Sequence, residues 1–225
     1  MYRLYHHPIC PFSRKVRIHL AAKEIGFELV QENFWERRKE FIAMNAAGTV
    51  PVLFDNSNAS VICNSSVIIE YIEEKHKGGK NFLGDSITNR AEVRRLQYWF
   101  DEKFYHEISK YILNERYFNR YLPGVHSPNS EILRVARKNL NIHLSYIEYL
   151  LETRKYLAGD HISVADFSAA SQISTLDYFG DINWHHYLPV KEWYSLIKSH
   201  KIFNEILKDK IPNVTPPEYY SKLDF

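Results

Sequence analysis

A small α/β domain followed by an all-helical domain is the architecture this sequence predicts, and three observations carry it. Short apolar runs alternate with helical segments up to about residue 75. A polar stretch containing Gly78-Gly79 follows. Beyond it, apolar residues recur only at helical spacing. The expected division is 1–77 for the first domain, 78–88 for a linker and 89–225 for the helical domain.

The first domain reads in order. Tyr2–Tyr5 is a short apolar strand, and Pro11–Ile25 is a helix whose proline suits the first helical position. Glu28–Gln31 is a short strand and Glu36–Met44 a short helix. Val50–Phe54 and Ser60–Cys63 are two strands, and Asp55-Asn56-Ser57-Asn58 between them is turn chemistry that predicts an antiparallel hairpin. Ser65–Lys75 is a helix with Val67, Ile68, Tyr71 and Ile72 on one face. His76–Asp85 is the polar connection.

The second domain begins with Arg90–Tyr121, a long aromatic-rich helix with room for a bend. Pro123–Pro128 interrupts it. Ser130–Thr153 carries Leu133, Leu140, Leu144, Ile147 and Leu151 at helical spacing. Ser163-Val164-Ala165-Asp166 reads as a capping box, with Ile162 and Phe167 placed as a hydrophobic staple, opening a helix over Ser163–Tyr178. Val190–Ser199 and Phe203–Lys208 are further helices. Ile211–Phe225, with Pro212, Pro216 and Pro217, reads as an extended tail.

Composition bounds the function. The 29 basic and 27 acidic residues leave a formal charge of +2, too balanced to argue for nucleic acid or an anionic membrane. No apolar stretch is long enough to span a bilayer, and Met1-Tyr2-Arg3 does not open a signal peptide. Two cysteines exclude a disulfide framework and point to a reducing cytoplasm. The 16 Tyr, 13 Phe and 4 Trp suggest a helical core, and after that an apolar groove or partner surface.

Cys10 is the principal candidate for chemistry. It falls where strand hands over to helix, at the expected N-cap, facing unpaired backbone donors and the positive end of the helix dipole. Such a place favours the thiolate, the reactive form, and Arg14, Lys15 and Arg17 add positive charge nearby. The alternative is a small buried apolar cysteine at an ordinary strand–helix junction. Cys10-Pro11-Phe12-Ser13 is also the pattern of a redox motif whose second cysteine is replaced by Ser13, which favours the reactive reading.

Val50-Pro51 opens a strand, where proline is unusual. Its position favours a cis bond that turns the Val50 N–H and C=O outward to pair with an extended peptide. Asn64-Ser65 precedes the third helix. Ser65 can cap it, and the free N–H groups there can receive a carboxylate. Cys10, Val50 and Ser65 together would present a thiol, a pairing edge and an anion hole to a small acidic thiol peptide. His6-His7 is not a metal pair, because strand neighbours point to opposite faces. His185-His186 lacks supporting ligands, so no metal site is expected.

These residues carry a resemblance to the cytosolic glutathione S-transferase superfamily over essentially the whole chain. The matching stretches are Cys10-Pro11-Phe12-Ser13-Arg14-Lys15-Val16, Gly48-Thr49-Val50-Pro51-Val52-Leu53, Asn64-Ser65-x-x-Ile68-x-x-Tyr71, and Leu157-Ala158-Gly159-Asp160 ahead of Ser163–Phe167. The resemblance implies an α+β thioredoxin-like N-terminal domain, an all-α helical-bundle C-terminal domain and a homodimer. It implies that Cys10 or Ser13 faces the glutathione sulfur, that Val50, beside Pro51, pairs with its cysteinyl backbone, and that Ser65 receives its γ-glutamyl carboxylate. Asn64 departs from the family, which usually has Glu or Gln there.

Trp35-Glu36-Arg37-Arg38, Glu92-Val93-Arg94-Arg95, Tyr98-Trp99-Phe100-Asp101, Tyr178-Phe179-Gly180-Asp181 and the ending Tyr220–Phe225 resemble the glutathione-S-transferase-like, FtsZ-binding division proteins of alphaproteobacteria. That resemblance implies a dimeric adaptor on FtsZ filaments, with the tail as a docking peptide or packed on its own domain. Two functions therefore stay open. One is a glutathione-dependent enzyme, acting through thiol transfer at Cys10 or conjugation aided by Ser13. The other is a non-catalytic adaptor.

Overall fold

In the computed structural model, residues 1–124 and 127–223 are described. A four-stranded sheet of order β2-β1-β3-β4 forms the N-terminal domain. β1 (Tyr2–His6), α1 (Pro11–Ala22) and β2 (Phe27–Gln31) make a parallel crossover in which Leu4 pairs with Leu29. β3 (Val52–Asp55) runs antiparallel to β1, with Leu4 opposite Leu53, and turns back into β4 (Ser60–Cys63). The hairpin turn is held by Asp55, whose Oδ1 accepts the Ser57 N–H at 2.8 Å. Leu4, Leu53 and Ile62 bury against Val16 and Leu20 of α1 and against Ile68 and Ile72 of α3 (Ser65–Lys75).

Several boundaries differ from the sequence expectation for local reasons. β3 starts at Val52 rather than Val50, because Pro51 has no N–H to give the ladder. The helix expected over 36–44 is a 3-10 turn, Phe34–Glu36, then Arg37 at φ +48°, then α2 (Lys39–Met44). The polar connection after α3 is not a bare linker. Phe82 and Leu83 are each only 4% exposed, and the Phe82 carbonyl accepts the Val164 N–H at 2.9 Å, which ties the segment to the helical domain.

The long helix expected over Arg90–Tyr121 runs unbroken only to Arg116, with Phe118–Tyr121 a separate 3-10 turn, and it changes pitch on the way. α4 (Ile87–Tyr98) widens into a π-helical stretch, Trp99–Ser109, before narrowing to α5 (Lys110–Arg116). The widening is visible where the Lys110 N–H reaches the Tyr105 carbonyl five residues back. α6 (Ser130–Leu151) is capped by Asn129, which accepts the Glu131 and Ile132 N–H groups at 2.9 and 3.2 Å. All fifteen residues of α7 (Val164–Tyr178) are buried, so it is the axis of the bundle. The capping box at its start forms as expected, and Asp166 also accepts the Leu157 N–H at 2.9 Å and the Trp193 indole at 3.1 Å. α8 (Leu188–Ser199) and the short α9 (Asn204–Leu207) complete the layer.

The tail is not simply extended. It ends in a 3-10 turn, Glu218–Ser221, that buries Tyr220 to 1% exposure, where its hydroxyl accepts from Arg14 at 3.2 Å. Asp224 and Phe225, the end of the expected docking peptide, lie outside the described residues. No described helix is long and apolar enough to cross a membrane. The described residues contain no cluster of three or more His, Cys, Asp or Glu suited to a metal.

Candidate functional site

The turn from β1 into α1 is fixed from three sides before Cys10 is reached. The Cys10 N–H donates to the His7 carbonyl at 3.0 Å, Arg14 Nε donates to the Pro8 carbonyl at 2.7 Å, and the Thr175 hydroxyl donates to the Ile9 carbonyl at 3.2 Å. His7 sits within 5.1 to 6.3 Å of the rings of Trp35, Tyr117, Phe118 and Phe34. Burial in that aromatic nest, with Arg14 nearby, depresses its pKa to about 4. His7 is therefore a neutral group packed among aromatic rings.

Cys10 occupies the N-cap of α1, with Pro11 in the first turn. Its sulfur is packed with Phe41, Val50 and Val52, and it donates to the Val50 carbonyl at 3.8 Å. Burial pushes the thiol pKa up, outweighing the Ser13 and Phe12 hydrogen bonds and the Arg14 charge that pull it down. The expected thiolate is corrected on this point: the helix end faces a desolvated sulfur, and desolvation wins. The three nearby cations are also committed elsewhere. Arg14 is fully buried against Ser174, Tyr220 and Pro8, Lys15 is paired with Asp101, and Arg17 forms a bidentate pair with Asp209 at 2.7 and 2.9 Å.

One cleft of about 290 Å³ gathers Cys10, Val50, Pro51, Asn64 and Ser65. The Val50–Pro51 bond is cis, as expected. Ser13 is not on the cleft wall. It is fully buried behind the turn, where its hydroxyl accepts the His7 N–H at 3.3 Å. At the third helix the cap is Asn64, not Ser65: its Oδ1 accepts the Ser66 N–H at 2.9 Å from a residue at φ +75°. Asn64 thereby consumes one of the donors that a ligand carboxylate would use at that helix end.

The opposite wall comes from residues that sequence reasoning did not single out. Phe12 and Phe34 contribute rings, and the π-helical stretch contributes Asp101, Glu102, Tyr105 and His106. Phe12 packs on Tyr105 with ring centroids 4.6 Å apart. Asp101 Oδ2 is held by Lys15 and by the Ser66 hydroxyl, which in turn accepts from Gln97 at 3.0 Å. The available signal was the run Asp101-Glu102 followed by Tyr105-His106, one turn apart on a helix long enough to pass the sheet domain. No Lys or Arg is among the residues lining the cleft.

An acidic tripeptide such as glutathione therefore meets a partial fit. Val50 and Ser65 offer backbone and hydroxyl partners on one side. Its carboxylates meet two acidic side chains on the other, with no lining cation and with the Ser66 N–H already taken.

The chain matches the family model of the glutathione S-transferase N-terminal domain over residues 4–80 and that of the C-terminal domain over residues 117–210. It is 41% identical to FtsZ-localized protein A of Caulobacter vibrioides (strain NA1000 / CB15N) across 99% of this chain and 97% of that protein. It superposes with a TM-score of 0.95 on a glutathione S-transferase from Rhodospirillum rubrum F11, at 41% identity over the whole of both chains. The TM-score is also 0.95 on FzlA from C. crescentus, at 41% identity over 100% of this chain and 99% of that one.

Proposed function

This chain belongs to the glutathione S-transferase family, and from that premise we propose that it works as an adaptor on FtsZ polymers in the cytoplasm. The observation that carries the reading is the full-length relationship, at 41% identity, to FtsZ-localized protein A. The chemistry of the cleft supports it. A protonated, desolvated Cys10 is a poor nucleophile for disulfide exchange, which proceeds through the thiolate. An adaptor that bridges polymer subunits needs two copies of its binding face, which a homodimer supplies. The exposed Tyr98 on α4 and Ile142 and Tyr149 on α6, each more than 60% accessible, are the apolar face for that pairing.

The test is co-sedimentation with FtsZ. The protein is expected to pellet with GTP-assembled FtsZ at low micromolar concentration and to stay in solution with GDP-bound FtsZ. A version lacking Leu223–Phe225 measures what the tail contributes. Absence of the full chain from the polymer pellet overturns the reading.

A second reading, glutathione docking, is favoured by the single cleft that gathers Cys10, Val50, Pro51, Asn64 and Ser65. In it Cys10 meets the sulfur, Val50 pairs with the cysteinyl backbone, and Ser65 receives the γ-glutamyl carboxylate; Ser13, buried behind the turn, takes no part. Calorimetry with glutathione tests it; saturable binding in the micromolar-to-millimolar range supports docking, and no heat at 10-fold excess over about 1 mM protein excludes it.

A further inference from the structure

The turn that presents Cys10 is braced from behind by the far end of the chain. Arg14, fully buried in the first turn of α1, donates from Nε to the Pro8 carbonyl at 2.7 Å. Its Nη1 donates to the Ser174 hydroxyl at 3.0 Å and to the Tyr220 hydroxyl at 3.2 Å. One guanidinium thus grips the β1–α1 turn on one side and the tail on the other. Packing repeats the link, because Ile9, next to Cys10, shares an apolar cluster with Tyr178, Ile211 and Tyr220. The Tyr220 ring stands edge-on to Tyr178, with centroids 5.0 Å apart. The root of the tail is fixed separately: the Tyr178 hydroxyl accepts the Ile211 N–H at 3.0 Å and donates to the Val214 carbonyl at 3.3 Å. Beyond that root, Tyr220 is the one fully buried side chain of residues 215–223.

We propose that residues 215–223 form a latch, closed by Tyr220 and coupled through Arg14 and Ile9 to the turn that carries Cys10. A segment held by a single buried ring opens as a local unit, at far less cost than unfolding the bundle. Opening takes a buried hydrogen bond from Arg14 and loosens the packing around Ile9, two of the contacts that hold the turn. With the tail docked, the turn is fixed and Cys10 stays desolvated. With the tail displaced, the turn moves and reagents reach the sulfur. Linkage makes the effect reciprocal: a ligand that needs the ordered turn favours the docked tail, and a partner that captures the tail loosens the cleft. The coupling is internal to the chain, so it stands or falls independently of FtsZ and of glutathione.

The experiment uses the full-length chain in a Cys63→Ser background, with two readouts: the rate of Cys10 alkylation by iodoacetamide at pH 8, and amide hydrogen exchange followed by mass spectrometry. Tyr220→Phe removes one oxygen and keeps the ring. It is expected to raise the Cys10 rate about threefold or more, and to speed exchange in 7–16 and in 211–223 together while the hairpin at 52–63 is unchanged. Tyr220→Ala empties the latch and is expected to raise the rate about tenfold or more. Asn129→Ala removes the cap of α6 and touches neither end of the link. It lowers stability generally and is expected to leave the Cys10 rate within about twofold. An unchanged Cys10 rate in Tyr220→Phe, faster exchange confined to 211–223, or an equal rise in Asn129→Ala each overturn the proposal. Tyr220→Phe decides the matter even if Tyr220→Ala does not fold.

Discussion

Asp209 is the carboxylate that holds both arginines of the cleft helix, and its removal is expected to be strongly destabilising. Arg17 of α1 holds it with two hydrogen bonds, at 2.7 and 2.9 Å, and also donates to the Glu205 carbonyl at 3.0 Å. Arg14 lies 3.9 Å from the same carboxylate. The guanidinium side chains are 4% and 0% exposed and the carboxylate 11%, so water replaces little of what is lost. Asp209→Ala leaves two buried cations without a counter-charge. Breaking a buried pair from one side costs about 3–5 kcal/mol. For a chain of this length each kcal/mol moves Tm by about 2–4 °C, so a fall of about 6–20 °C is expected by circular dichroism melting. Arg17→Met combined with Asp209→Leu removes both charges and should recover part of that loss. A fall of less than about 2 °C in Asp209→Ala would refute the assignment of Asp209 as the anchor of α1.

Four buried histidines shape the acid response: burial depresses His6 and His19 to about 3 and His7 to about 4, and lowers His143 as well. His6, His7 and His19 stay neutral in the fold and take up protons on unfolding, so their contribution is full above about pH 6.5 and is lost as pH falls through the interval down to about 3. By pH 5 each of these three contributes a loss of up to about 2 kcal/mol. Urea midpoints at pH 7 and pH 5 check this, and equal midpoints contradict it. Asn64→Ala loses the cap of α3 and places alanine at φ +75°, for an expected cost of about 2 kcal/mol in urea unfolding. Asn64→Gly accepts that φ and frees the Ser66 N–H, so glutathione affinity by calorimetry should rise about fivefold over the unsubstituted chain; an unchanged affinity contradicts the view that Asn64 blocks the anion site.

Local signals in the sequence were legible where the chemistry is local. The Asp55–Asn58 turn, the Ser163–Asp166 box and the cis Val50–Pro51 bond each follow from a few adjacent residues. The β3 start was misjudged by two residues, because apolar character cannot show where a missing N–H ends the ladder. The π-helical stretch was invisible, since Trp99–Ser109 keeps an ordinary helical apolar pattern while its hydrogen bonds reach five residues back instead of four. Tyr220 read as part of an extended tail because its partner, Arg14, is 206 residues away. Cys10 shows the limit most clearly. Its neighbours in sequence, a helix start and three cations, argue for a thiolate. Its neighbours in space are Phe41, Val50 and Val52, and the cations are held by Asp101 and Asp209. Only the tertiary fold reveals that second set.

The protonation state of Cys10 separates a binding cleft from a thiol-transfer site, and its alkylation profile reads that state directly. A thiol at the unperturbed value of 9.0 carries about 1% thiolate at pH 7, and burial takes Cys10 below that fraction. In a Cys63→Ser background, the iodoacetamide rate at pH 7 is expected to be more than about tenfold slower than that of free N-acetylcysteine, and to climb through pH 9 without a plateau. A rate that levels off below pH 7 would mean that the helix end, not desolvation, governs the sulfur, and would return Cys10 to the role of a reactive thiolate.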